Sequence, residues 1–209
     1  LRVPEPMADR LLIVAFVVCR LVPFVVIYVL MGIDPHSDVP LFYDAASHAL
    51  RGEIVYRDFW SPYSPLFAYV TALPLLVWHS AKSVVLLMVV MEGAAWWMTY
   101  RFYRPRRGSV TQLTALLYLF LPGPVVFCLL GGQEDVWMWL FGVASLWLWT
   151  ANPSAFRLGL TMAAMLLVTK ALAVLIAVAL LFWVRRPYQY IAGLAIVGIP
   201  ALILLYALT

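Results

Sequence analysis

The sequence predicts an all-α integral membrane protein, a single transmembrane domain over residues 1–209 with about seven to nine transmembrane or half-spanning helices. Three observations predict it. Of the 209 residues, 65% are hydrophobic, against ~45–50% for a soluble domain, and mean hydropathy is +0.95. The apolar residues come in runs long enough to cross a bilayer, punctuated by Pro, Gly and charge. Charge itself is scarce, at 11% of residues, and much of it is gathered into one external loop, 32–65, where an amphipathic interfacial helix is expected.

The first run, Leu11 to Met31, has the ~20 apolar residues that spanning requires. Arg2 and Arg10 precede it, and the positive-inside rule then places the N-terminus in the cytoplasm and the 32–65 loop outside. A cleaved signal peptide does not fit, since the run is too long and no small-residue cleavage site follows. Arg20 lies mid-span, where a charge costs at least ~2.5–3.5 kcal/mol on insertion scales and must face protein or water. Glu92, central in the third run, is its expected partner, in a pair that reads as structural.

From Asp38 to Leu66 the chain is polar and aromatic, carrying Asp38, Asp44, Arg51, Glu53, Arg57 and Asp58. Ser37 or Asp38 suits an N-cap and Pro40 a first helical turn. Val39, Phe42, Ala46 and Leu50 then fall on one side, with Asp44, Ser47, His48 and Arg51 on the other, and Gly52 is a C-terminal stop. Such a helix is expected to lie in the membrane interface with its apolar face down. Tyr56, Phe59, Trp60 and Tyr63 read as interface anchors, and Pro62 and Pro65 keep the return segment irregular.

Leu66 to Trp78 is a short second run that, helped by Trp60 to Ser64, is expected to cross. Val84 to Tyr100 is the third, followed by the densest basic cluster, Arg101, Arg104, Arg106 and Arg107. That cluster reads as a cytoplasmic loop, with a clamp for lipid phosphates as the alternative. Leu113 to Leu130 is interrupted by Pro122-Gly123-Pro124. Counting simple passes then puts 101–109 outside, against the positive-inside rule, and 131–135 inside. Splitting the run at Pro-Gly-Pro instead returns 131–135 beside the Asp38 loop, and neither count satisfies every signal.

Gly131-Gly132-Gln133-Glu134-Asp135 is a second polar constellation. Its two acids suit the N-terminus of the helix expected over Val136 to Thr150, or they line a site. Ala151 to Arg157 reads as a loop. Leu158 to Val184 is one tilted helix or two short ones meeting at Lys170, which must snorkel or meet a phosphate. Arg185-Arg186-Pro187 reads as cytoplasmic, and Gln189 to Leu208 as a last span.

Several chemistries are excluded by pattern. There is no P-loop, GxGxxG, HExxH or CxxC motif, and no repeat of 20–50 residues. Cys19 and Cys128 lie in apolar runs and read as small core residues. His36, His48 and His79 are scattered, and a pigment or haem ligand at His79 is the weaker reading beside an unliganded interfacial His. The net charge of +4 fits cytoplasmic loops rather than nucleic acid.

The residues Asp38, Val39, Tyr43, Ala46, Leu50, Gly52, Glu53, Tyr56, Arg57, Asp58, Phe59, Tyr63, Pro65 and Leu66 together resemble the first external loop of GT-C glycosyltransferases, closest to their bacterial mannosyltransferase-like branch. Ser64 departs from the second proline usual there. The resemblance implies a polytopic enzyme taking a sugar from a polyprenyl-phosphate carrier at the periplasmic or lumenal face, here of a bacterial inner membrane. It implies Asp38 as general base, Arg57 and Asp58 orienting substrate, Gln133 and Asp135 lining the sugar pocket, and Lys170 facing the carrier phosphate. No cofactor is implied for certain, and a divalent cation stays open. The likeness spans only the amino-terminal half of a usual GT-C enzyme. Leu1 in place of Met and the apolar close at Ala201 to Thr209 are also what a piece of a longer protein would show. The alternative is therefore a non-catalytic scaffold, with neighbouring membrane subunits as partners besides membrane lipid.

Overall fold

The computed structural model describes residues 5–208, with side chains from Met7 onward. Arg2, used above to orient the chain, and the final Thr209 lie outside the described residues. The described residues form helices joined by irregular loops, with an isolated bridge between Val55 and Phe59 as the sole β pairing among them. Three helices, Met7–Leu30, Ala81–Arg107 and Pro187–Leu208, are long and apolar enough to cross a membrane, and Ser109–Phe120 with Pro122–Leu130 is a fourth if the bent pair counts as one span.

The first helix, α1, begins at Glu5–Phe16 and continues to Leu30 through wide π-helical turns at Val17–Leu21 and Val25–Leu30. The first of these turns carries Arg20. The second helix, α2, spans Val39–Leu50 as the apolar spacing requires, and Val39, Phe42 and Ala46 are fully buried. Its apolar face rests on protein rather than on lipid: Phe67, Val84, Val85 and Trp137 belong to the same core. Asp38 does not cap it. The Asp38 backbone is itself helical (φ −86°, ψ −8°), and its side chain makes no capping bond.

A short helix α3, Phe67–Ala72, runs into a 3₁₀ turn, Leu73–Leu76. Both ends of this segment lie at the same end of the molecule, where a crossing run would have them at opposite ends. Leu66 is tied near one end of the molecule by its N–H to Leu167 C=O (2.9 Å), and His79 sits against Tyr43 of α2 at that same end (ring centroids 5.9 Å).

Helix α4, Ala81–Arg107, then runs the length of the molecule. It continues through the basic cluster instead of ending at Tyr100. Cations in a last turn are favoured by the helix dipole, and Arg106 donates to Phe102 C=O (2.6 Å). Helix α5, Ser109–Phe120, bends by 52° into the arm Pro122–Leu130. The cause is local: Leu121, preceding a proline, is extended (ψ 134°), and Pro122 and Pro124 have no N–H to give the carbonyls before them. Three further helices follow, α6 at Asp135–Ala151, α7 at Ala155–Val168 and α8 at Ala173–Trp183. The run 158–184 is thus two helices meeting around Lys170. The last, α9, is Pro187–Leu208. It packs on α7 through two glycines. A Cβ on Gly159 would lie 2.2 Å from Tyr190 O, and one on Gly193 2.1 Å from Phe156 O, so only hydrogen fits at this crossing.

Contacts between distant residues sort the polar groups into two ends. At one, Asp9 binds Arg104 (2.8 Å) and Arg101 (3.2 Å), Phe102 touches Trp147, and Trp149 touches Trp183. Arg10, Arg106, Arg107, Arg157, Arg185 and Arg186 lie on the turns and helix ends around them; this is called below the arginine end. At the other, Gln133 meets Asp38, Lys170 meets Glu134, and Arg57 meets Leu208 C=O; this is the carboxylate end. Because α3 ends where it began, α4 brings 101–107 back beside Asp9, and α5 with its arm carries 131–135 to the Asp38 loop.

Candidate functional site

At the carboxylate end, a tight turn aims Gln133 at Asp38. Gly132 takes a positive φ (+57°), and a Cβ there would stand 2.4 Å from the buried Val39 Cγ2. Only glycine lets the turn close on α2 at this distance. Gln133 Nε2 then donates to Asp38 Oδ2 (3.1 Å) and to Ser37 Oγ (3.0 Å). Two polar stretches separated by some 95 residues are joined by one amide.

Beside this bond lies a charge cluster. Lys170 Nζ stands 2.6 Å from Glu134 Oε1 and 3.4 Å from Asp135 Oδ1. Glu134 is 1% exposed, and the ammonium meets it off the line of a hydrogen bond, so its carboxylate oxygens make no well-aligned one. Asp135 is more than half exposed at the N-terminus of α6, where the dipole favours its charge. The loop after Tyr63 is laid against this cluster, since Ser64 N–H donates to Thr169 C=O (3.2 Å). Burial, then the charges of Asp38 and Asp135, push the Tyr63 phenol up to about 12, so it stays a neutral hydroxyl facing both carboxylates.

The structure links Asp38 to Gln133 and Lys170 to Asp135, two residues further along the same turn. Arg57 and Asp58 are not brought to them by any contact. They pair with each other (2.9 Å), Asp58 accepts Ile54 N–H (2.8 Å), and Arg57 reaches Leu208 C=O (3.1 Å). The Arg57 guanidinium, then the Ile54 amide, holds the Asp58 carboxyl down to about 2. Glu134 and Tyr63 are members that sequence reasoning did not assign. Glu134 had a signal, an acid between two assigned residues, whereas Tyr63 looked like any interfacial aromatic.

A cleft of about 380 Å³ opens from the cluster between the arm Pro122–Leu130 and α6. Gln133 and Asp135 lie at its polar end, and Pro124, Phe127, Tyr118 and Trp139 make the rest apolar. Among the described residues, no three His, Cys, Asp or Glu side chains converge to hold a metal ion. Cys19 and Cys128 are free thiols, half-buried and buried. No protein-family model, curated protein or solved structure matches the chain.

Proposed function

We propose that the chain is a GT-C-like membrane glycosyltransferase, or its amino-terminal module, moving a sugar from a polyprenyl-phosphate carrier to an acceptor hydroxyl at the external face. The supporting observation is the Gln133–Asp38 hydrogen bond, which joins the external loop to the Gly132–Asp135 element beside Lys170. In this reading Asp38 takes the acceptor proton, with Gln133 fixing its carboxylate. Lys170 exchanges a carboxylate partner for the departing phosphate and offsets its growing charge. Gln133 and Asp135 face the sugar, and the apolar cleft below them takes the first units of the carrier chain. The chain crosses an inner membrane seven times, α3 entering and returning, with the arginine end cytoplasmic and the 32–65 loop periplasmic.

The test is transfer from a polyprenyl-phosphate hexose by membranes holding the chain. Asp38→Asn keeps the hydrogen-bonded shape but not the basicity. Transfer is expected to vanish while membrane insertion is unchanged, and retained turnover would remove Asp38 from the base role.

One observation favours the scaffold reading. The cations expected to meet substrate are already paired inside the chain, Lys170 with Glu134 and Arg57 with Asp58. A structural subunit would co-purify with fixed partners in mild detergent and transfer no sugar, whereas an active lone chain would exclude that role.

A further inference from the structure

The arginine end holds a second hollow, far from Asp38. Two cavities adjoin there and share Trp149 and Trp183, whose rings lie 5.2 Å apart. The outer one, about 590 Å³, is mixed in character, with Arg185, Arg186 and Gln189 beside Pro153 and Ala155. The inner one, about 820 Å³, runs between α6, α7 and α8 past Leu146, Met162, Leu175, Ile176 and Leu180. Its polar side chain, Ser145, is already bonded to Thr161 (2.9 Å). A charged mouth thus opens into a larger apolar groove.

The charges at the mouth are uncommitted. Arg101 and Arg104 are bound to Asp9, Arg106 donates to Phe102 C=O and Arg157 to Asn152 C=O. The side chains of Arg185 and Arg186 are exposed and make no hydrogen bond or ion pair among the described residues. No carboxylate lines their cavity. They immediately precede Pro187, so the N-terminus of the 22-residue α9 adds its dipole to theirs.

We infer that this paired cavity binds one anionic glycerophospholipid, its phosphate held by Arg185, Arg186 and the start of α9, and an acyl chain passing Trp149 and Trp183 into the groove. The charge of the mouth calls for an anion, and basic pockets between helices on the cytoplasmic side suit lipid head groups. The inner groove, larger than the mouth and apolar, calls for a hydrocarbon chain, which free phosphate lacks. Tryptophan at the neck suits the boundary between the two. The inference uses the membrane placement proposed above, but not the transferase chemistry.

The test is lipid retention by the full chain, delipidated in detergent and weighed intact by native mass spectrometry. Phosphatidylglycerol, phosphatidylcholine and inorganic phosphate are offered separately. One phosphatidylglycerol should be retained, and neither of the others. The double variant Arg185→Gln/Arg186→Gln should weaken retention about thirty-fold, the loss expected for two surface arginines. Ile176→Trp, which fills the groove from an exposed position on α8, should weaken it similarly at an unchanged thermal midpoint. Arg107→Gln, on the same end, should leave it within about two-fold, being outside the cavity. Equal retention of phosphatidylcholine, phosphate binding that ignores Ile176→Trp, or an equal loss in Arg107→Gln would each overturn the inference. So would a peptide found in the groove in place of lipid. A chain that stays in solution without detergent would instead end the membrane reading, before any lipid is added.

Discussion

Arg20 offers the sharpest test of how the interior is held. Its guanidinium is fully buried and does three things at once. Nε donates to both oxygens of Glu92 (2.9 and 3.0 Å), and Nη1 donates to Cys19 C=O (3.2 Å) and to Leu119 C=O (3.0 Å). Tyr118 adds its hydroxyl to Glu92 (2.9 Å). Leu119 sits two residues before the extended Leu121, where the bend deprives its carbonyl of the usual helical donor, so the arginine replaces that bond. Arg20→Met leaves Glu92 as a buried charge with one neutral partner, at a cost of about 3–5 kcal/mol. It also leaves Leu119 C=O without a donor, adding about 1–3 kcal/mol. The double variant Arg20→Met/Glu92→Met removes both charges and keeps only the second cost, so most of the loss should be recovered. Reversible unfolding in mixed micelles, followed by helical circular dichroism, reads all three chains under one condition. If Arg20→Met costs under about 1 kcal/mol, or if the double variant is the least stable of the three, the buried-pair reasoning fails.

Two other outcomes follow from the loop geometry. Gly132→Ala combines a positive φ with a collision against Val39 and should cost about 2–4 kcal/mol. Gly52→Ala, also at positive φ (+82°) but with nothing within 4 Å, should cost only about 1–2 kcal/mol, and the reverse order in the same unfolding assay would refute the close approach. The Asp58 carboxyl is held down to about 2, below its unfolded value of about 3.9. The turn at Ile54–Asp58 therefore has its full stabilisation above about pH 4 and loses it as pH falls through about 2. Amide exchange of Ile54 should quicken relative to the helices across that window and lose its pH response in Asp58→Asn. Protection that rises with acid would have the sign wrong.

What the sequence made legible was whatever depended on local spacing. The apolar side of α2, the stop at Gly52, the span of α1 and the break at Pro122 all follow from neighbours a few residues apart. The Arg20–Glu92 pair was legible for a different reason, since two lone charges in apolar runs have few other ways to be buried. The fate of 66–78 was not legible. Run length gives the capacity to cross, and whether a run crosses is decided by what holds its ends, here Leu167 and Tyr43. The continuation of α4 through Arg107 was hidden likewise, because a basic cluster marks a membrane boundary and says nothing about where the helix stops. Arg57 and Asp58 show the reverse case. Adjacent opposite charges in a loop looked available for substrate, yet each meets the other first.

The carboxylate end makes an electrostatic demand on any phosphate-bearing ligand, and Glu134 decides how that demand is met. Glu134 and Asp135 meet the ammonium of Lys170, and Asp38 is tied to the neighbouring Gln133, so an arriving phosphate meets an excess of negative charge. Lys170 is the cation in contact with these acids, and Glu134, 1% exposed, holds the ammonium more closely than Asp135 does. Glu134→Gln keeps the shape and removes the charge. In a glycosyltransferase the freed ammonium is better placed for the donor phosphate, and the donor KM should fall about ten-fold for one close charge at partial exposure. In a scaffold the same change only strips a buried carboxylate of its purpose as the counter-charge of Lys170, and the helix junction at 169–172 should loosen with no gain in donor binding. Donor binding and amide protection at Thr169, measured on the one variant, move in different ways under the two readings. If neither moves, Glu134 governs neither the cation nor the junction, and the cluster loses its place at the centre of both.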